Sequence, residues 1–545
     1  WIAVIDISGS MTAMEEGTSR LEKAKSEVLR RAASLERGSA VTLITAGASP
    51  EVLLLQGRDQ AEVRRALDRV ASDWSEAATD EALVLAGNAA SNCQDAEITL
   101  YTDMDYLSAS GLTVENVASG SRNAAIPSLT CSMESGYAHF SAELVYYDPQ
   151  DGSQDDPQDD PLTRLTVALY VDGKLIGAKT VDVALGNTSV ETTVLDWPVR
   201  DIRSFVSARM VLSVEDAIAQ DNEAWCLAPP TKNVKVLLAS DTPFYWEHAL
   251  SALPEVDLTV TEAASASLTS GGYDLYIFDG SAPDPLPSDG SVWLSAVRSA
   301  PRDTGLRLNE LVRGGSLASS KTMPAILCEL TTGLSLRDVT VQRLVSTQET
   351  ERFAAVLTAG GKPALLAAQE ADGRWTMMLT FDVHNSNLPL TADFVILLRN
   401  MLRFCVPDML TARVFTCGDT VEASVLPMAT ALYLQHPDGR MTSLSADGRT
   451  ASFQLNQPGV WTLLASRGAW DDRYCDFVAR FPGSESDTRR RVSPTALLVS
   501  RREAAVDETL LSETEENRSD TRMFLAALLL LFLVTEWVVY HHEQY

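Results

Sequence analysis

The sequence predicts a multidomain protein of α/β plus β class, and three observations carry that reading. Residues 1–120 and 231–408 alternate apolar strand-like runs with amphipathic helix-like runs, the pattern of a mostly parallel sheet. Residues 121–230 and 409–482 instead read as short alternating strands punctuated by turn residues, the pattern of β-sandwiches. A chain of 545 residues is also too long for one hydrophobic core, so several domains are required.

In the first unit the apolar run Trp1-Ile2-Ala3-Val4-Ile5 predicts a buried strand that delivers Asp6-Ile7-Ser8-Gly9-Ser10 onto a tight loop. Arg20 to Leu35 predicts a helix with Leu21, Ala24, Val28, Leu29 and Ala32 on one face. Val41–Thr45 and Val52–Leu55 read as strands, and Ala61–Val70 as a helix. Thr79-Asp80 opens the apolar helix Ala82–Ala90, and the strand Ile98–Thr102 ends on Asp103. Asp6, Thr79 and Asp103 thus fall at strand carboxyl ends or on the loops beside them, where parallel sheets bind ligands. An acid and two hydroxyls on one loop suit Mg²⁺ or another hard divalent cation. Because serines are neutral, the ion stays under-neutralised, and an open position can take a carboxylate from another molecule.

These residues resemble the metal-ion-dependent adhesion site of the von Willebrand factor A domain: D-x-S-x-S, a threonine before a helix, and an aspartate after the next strand. The matches are Asp6, Ser8, Ser10, Thr79 and Asp103. The resemblance implies the family's Rossmann-like fold and a bound Mg²⁺, with Mn²⁺ or Ca²⁺ as alternatives. It implies that Ser8 and Ser10 ligate directly, Thr79 directly or through water, and Asp6 and Asp103 through waters. Two positions depart from the pattern. Ala77-Ala78 stand where the family often has Gly-Gly, and Met104 follows Asp103 where it usually has Gly, which makes Asp105 a rival for the last ligand.

A net charge of −30, from 74 acids against 44 bases, argues against nucleic acid and against docking on an anionic membrane face. The seven cysteines are scattered without a C-x-x-C pair, which disfavours zinc. Cys417 and Cys475 fall in one predicted sandwich and could bridge. The chain begins on a tryptophan already inside a strand, so its natural start is expected upstream.

Residues 121–230 read as an immunoglobulin-like sandwich, with strands over Ala138–Tyr147 and Leu165–Val171 and a tight turn at Asp172-Gly173. Its acidic, proline-rich insertion Asp148–Pro161 fits no EF-hand spacing and reads as a solvated loop. Residues 231–408 carry strands at Val234–Ala239, Leu275–Phe278 and Trp375–Phe381, with helices at Tyr245–Leu253 and Phe394–Phe404. This unit resembles the class I glutamine amidotransferase-like fold, a parallel sheet with helices on both faces. Catalysis in that family needs a cysteine on a glycine-flanked elbow. Cys328 lacks flanking glycines, His384 has no nucleophile to serve, and Gly314-Gly315-Ser316 fits no hydrolase motif, so a non-catalytic relative is expected. Residues 409–482 read as a second sandwich, and 483–521 as a charged stalk.

Residues 522–541 read as a transmembrane helix, with Trp537 and Tyr540 at the interface, Glu536 snorkelling near one end, and a tail over 542–545. The whole order resembles bacterial membrane-anchored A-domain proteins related to those of aerotolerance operons. That resemblance implies further N-terminal spans, a bulk outside the cytoplasmic membrane and a functional link to MoxR-type ATPases. Arg518 and Arg522, ahead of the apolar run that starts at Met523, vote weakly for the opposite orientation. The function expected is that of a non-enzymatic, metal-dependent protein-binding protein whose ion captures a partner's Asp or Glu. The alternatives are an envelope scaffold with a vestigial metal site, or an amidotransferase- or hydrolase-like enzyme in the middle unit.

Overall fold

The computed structural model describes residues 1–496, except 92, 94, 108–110, 135–136, 150–163, 183–189, 203, 230–233, 265–270, 349–350 and 468–471. The expected transmembrane segment 522–541 and nearly all of the acidic insertion lie outside the described residues. Among the described residues no helix is long and apolar enough to cross a membrane.

The first unit is built on β1 (Ile2–Asp6), α1 (Arg20–Ser34), β2 (Val41–Ala46), β3 (Glu51–Gly57), α2 (Gln60–Leu67), α3 (Thr79–Ser91), β4 (Ile98–Thr102), β5 (Met104–Leu107) and β6 (Leu112–Asn116). The sheet order is β3-β2-β1-β4-β6, with only the edge strand β3 antiparallel. β1 is central, and all five of its residues are buried. That is why it reads as a continuous apolar run rather than an alternating one. The helices form where sequence caps and spacing agree. Ser19 caps α1 by accepting from the Glu22 amide, and Leu21, Ala24, Val28 and Ala32 pack inward at three- and four-residue intervals. Asp80 and Glu81 sit in the first turn of α3, where the helix dipole favours acids.

Two antiparallel sheets follow. One has Tyr137–Tyr147 between Asn123–Glu134 and Val190–Arg200. The other orders Lys174–Asp182, Arg164–Val171, Ser207–Leu212 and Glu223–Leu227. Both contribute to one core around Phe140, Leu169 and Met210. The hairpin at Asp172-Gly173 holds both residues at positive φ, as a two-residue turn of this kind requires.

The middle unit departs from the expected parallel sheet with helices on both faces. Its nine-stranded sheet is parallel from Val256–Thr261 through Trp375–Leu379 and antiparallel across the remaining four strands. Among the described residues its α-helices are Phe244–Ser251 and Ala392–Cys405, which pack on one face, where Trp246 meets Phe394 at 5.5 Å. The other face is buried under non-helical chain bearing Val297, Leu306 and Phe353. Short turns close the antiparallel pairs Ala354–Ala359 with Lys362–Gln369 and Lys362–Gln369 with Trp375–Leu379, and such pairs need no helical crossover.

The last sandwich pairs a five-stranded sheet with the two-stranded ladder Thr420–Ser424 and Thr450–Gln454 around Trp461 and Phe477. Cys417 and Cys475 are free thiols there rather than a bridge. The start of the expected stalk is also different. Gly483–Ser486 forms a short 3₁₀ turn, and β7 (Arg491–Ala496) pairs in parallel with β5 of the first unit. Charged, aromatic-poor composition pointed to a solvated segment, but here the backbone of Met104–Leu107 offers ladder partners.

Candidate metal centre

The loop after β1 is fixed from several directions. Asp6 accepts the Ser8 amide through Oδ1 at 2.9 Å and the Thr102 hydroxyl of the neighbouring strand through Oδ2 at 2.8 Å. The hydroxyls of Ser8 and Ser10 lie 3.3 Å apart. The Gly9 amide donates to the Ser75 carbonyl at 2.9 Å, and Ser72 Oγ donates to the Ser8 carbonyl at 3.1 Å. Asp73 in turn organises the loop over 72–75 by accepting from Ala48 N, Ser75 N and Ser75 Oγ. A Cβ at Gly47 would fall 2.1 Å from Asp73 Oδ2, so glycine is needed there for close approach.

Asp6, Ser8, Ser10, Thr79 and Asp103 are all buried. Thr79 opens α3 beside this loop, and its side chain acts to hold the Tyr106 phenol down. Burial raises the Tyr106 phenol to about 12, and the carboxylates of Asp6 and Asp103 add to the rise, which places all of these groups in one field. Asp103 follows β4 and receives Arg20 Nη1 at 2.6 Å. Asp105, the rival for the last ligand, points elsewhere: Arg490 holds it through contacts of 2.7 and 3.1 Å and lowers its carboxyl.

Sequence reasoning missed four participants. Arg20, read only as the first residue of a helix, is fully buried and shared between Asp103 and Glu15. Glu15 also accepts from Lys23, Ser119 and Gly120. Burial would raise Glu15, but Arg20 and these donors hold it down at about 2. Tyr106 is the third. The fourth, Glu485, is buried and accepts the Ser10 amide at 3.0 Å although 475 residues separate the two. No local signal in the sequence could have found it.

The donors fit a hard divalent cation. They are hydroxyl and carboxylate oxygens, and their charge is unbalanced. Asp6, Asp103 and Glu485 share one field, while the nearest buried cation, Arg20, is divided between Asp103 and Glu15. Burial, then Asp103, then Glu485 push the Asp6 carboxyl up to about 7. Among the described residues, no three His, Cys, Asp or Glu side chains group as a metal cage. A set resting on serine and threonine hydroxyls is of a different kind.

Residues 1–105 match the family described as von Willebrand factor type A domain. The chain opens with a von Willebrand factor type A domain. Among solved structures, the conserved hypothetical protein BatB from Bacteroides thetaiotaomicron is 27% identical over 19% of this chain and 52% of its own, with a TM-score of 0.18. The chain thus spans about half the length of that relative. An aerotolerance-related membrane protein from Bacteroides fragilis is 20% identical over 29% of this chain and 77% of its own, with a TM-score of 0.19. An uncharacterized membrane spanning protein from Vibrio fischeri is 26% identical over 18% and 53%, with a TM-score of 0.16. These are likenesses of segments, not of whole chains. No curated protein matches the chain.

Proposed function

We propose that this chain is a membrane-anchored binding protein whose A domain holds a divalent cation and uses it to capture a carboxylate of a protein partner. One observation carries the reading: the buried cluster around Asp6, Ser8, Ser10, Thr79 and Asp103 has hard oxygen donors and more negative than positive charge. Burying like charges together is costly, and a cation among them removes the cost. Ser8, Ser10 and Thr79 would hold the ion directly, and Asp6 and Asp103 would orient the hydroxyls and tune its charge. Anchoring through residues 522–541, with the bulk outside the cytoplasmic membrane, is part of the same proposal.

The enzyme reading finds less support in the middle unit. His384 Nδ1 lies 2.8 Å from Asp382, but Cys328 is exposed on a 3₁₀ turn, where its thiol faces the Pro324 carbonyl. Ser240, at the end of a parallel strand, donates its hydroxyl to Asp279 at 2.8 Å rather than to an imidazole. We therefore expect neither glutaminase nor esterase turnover.

The test is calorimetric titration of Mg²⁺ and Mn²⁺ into the chain and into Asp6→Ala. Binding should be lost in the variant. Undiminished binding, or no binding to the unmodified chain, refutes the metal reading and leaves the scaffold alternative.

A further inference from the structure

The segment that follows the last sandwich returns across the metal centre and is fastened on both sides of it. Phe481 is buried beside Ala13, Ala217, Ile218 and Trp74, with its ring 6.5 Å from that of Trp74. It lies so close to the D-x-S-x-S loop that a Cβ on Gly9 would come 2.7 Å from the ring and 3.3 Å from Glu485 Cβ. Ser484 Oγ donates to Glu76 Oε1. The Ser486 carbonyl accepts from Asn123 Nδ2 at 3.0 Å. Thr488 exchanges hydrogen bonds with the backbone of Ser121, and its carbonyl accepts from Arg20 Nη2. Arg490 grips Asp105, and β7 then pairs with β5. The strap therefore contacts the loop carrying Ser8 and Ser10, the arginine that holds Asp103, and the strand after Asp103.

Within that strap, Glu485 is the one acid directed at the centre. Its Oε2 accepts the Ser10 amide at 3.0 Å. The residue is 8% exposed, so water does little to solvate it. Arg491 on the same strap offsets part of its charge, while its Nη1 donates to the Ser484 carbonyl at 3.0 Å. An ionised carboxylate placed this way, beside Asp6 and Asp103, needs a cation.

We propose that Glu485 is an internal carboxylate ligand of the metal centre, filling the position that an external Asp or Glu would take. The inference rests on the metal reading above and adds to it the identity of the resting ligand. In this arrangement the centre is self-ligated at rest. An acidic partner binds only by displacing Glu485, which loosens the strap over residues 483–496. The geometry makes binding at the centre and release of the strap one event, because the same backbone that carries Glu485 also carries the contacts to Asn123, Ser121, Arg20 and Asp105.

The experiment compares the full chain with Glu485→Gln, which keeps the shape and removes the charge, and with Glu485→Asp, which keeps the charge. Mn²⁺ is the probe, read by calorimetry and by water-proton relaxation. We expect Glu485→Gln to weaken Mn²⁺ binding by about 10-fold or more, at least the loss seen when outer-shell partners of metal ligands are removed. Relaxation per bound Mn²⁺ should rise as a water takes the vacated position. Glu485→Asp should fall between the two. Trypsin supplies a second readout at Arg489, Arg490 and Arg491: Mn²⁺ should slow cleavage of the unmodified chain but not of Glu485→Gln. If the unmodified chain binds no Mn²⁺, the metal reading fails and takes this inference with it. If it binds Mn²⁺ and Glu485→Gln leaves affinity, relaxation and protection unchanged, the metal reading stands and the internal ligand is refuted.

Discussion

Replacing Arg20 with methionine tests the electrostatics of the centre without reference to any metal. Arg20 is wholly buried and donates Nε to Glu15 Oε1 at 2.9 Å and Nη1 to Asp103 Oδ2 at 2.6 Å. Glu15 would keep Lys23 at 3.0 Å and the donors of Ser119 and Gly120. Asp103 has no such reserve, because Arg20 is its only ion-pair partner among the described residues. Breaking a buried pair by removing one partner costs about 3–5 kcal/mol. At about 4 °C per kcal/mol for a domain of roughly 120 residues, the A-domain transition should fall by about 12–20 °C. Adding Asp103→Asn removes the orphaned charge and should recover part of the loss, giving a coupling energy of the kind that directly contacting residues show. The assay is differential scanning calorimetry in chelator. A loss below about 1 kcal/mol, the value of an exposed pair, or no recovery in the double variant would refute a buried Arg20–Asp103 pair.

Two further predictions concern the same centre. Because Asp6 is raised to about 7 by burial and then by Asp103 and Glu485, a cation must displace its proton below that pH. Mg²⁺ affinity measured by calorimetry should therefore fall as pH drops below 7 and level off above it. In chelator the sign reverses for stability: the Asp6 contribution is fully present below the unfolded value of 3.8 and is lost as pH rises through about 7. Melts that show the opposite slope would show that Asp6 is not the buried, crowded acid described here. Asp105→Ala should weaken Mg²⁺ binding only slightly, through the one strap contact it removes, and cost no more than about 1 kcal/mol, because its pair with Arg490 is partly exposed. Asp103→Ala should weaken binding, and the reverse outcome in titrations of the two variants would move the last ligand by two residues.

Much of the A domain was legible in the sequence, for a physical reason. Its three central strands are buried on both faces and so are written as apolar runs, and its first helix carries its own cap and spacing. Candidate ligands at strand ends can be named from local residues alone, which is how Asp6, Ser8, Ser10, Thr79 and Asp103 were singled out, and the fold buries all five. The middle unit was half legible. Three of its five parallel strands announced themselves, but Val256–Thr261 and Ser291–Ser295 did not, and antiparallel partners such as Lys362–Gln369 carry the same apolar character, so direction is decided only by pairing. What lay beyond the sequence was everything made by distance along the chain. Arg20 is an ordinary helix-opening arginine until folding buries it between Glu15 and Asp103. Glu485 is one acid in a charged stretch until the strap is laid across the first domain and its carboxylate meets the Ser10 amide. Local pattern marks which residues are candidates for a metal centre. Only the tertiary structure decides which charges surround it, because burial and field depend on neighbours that the chain brings together from its two ends.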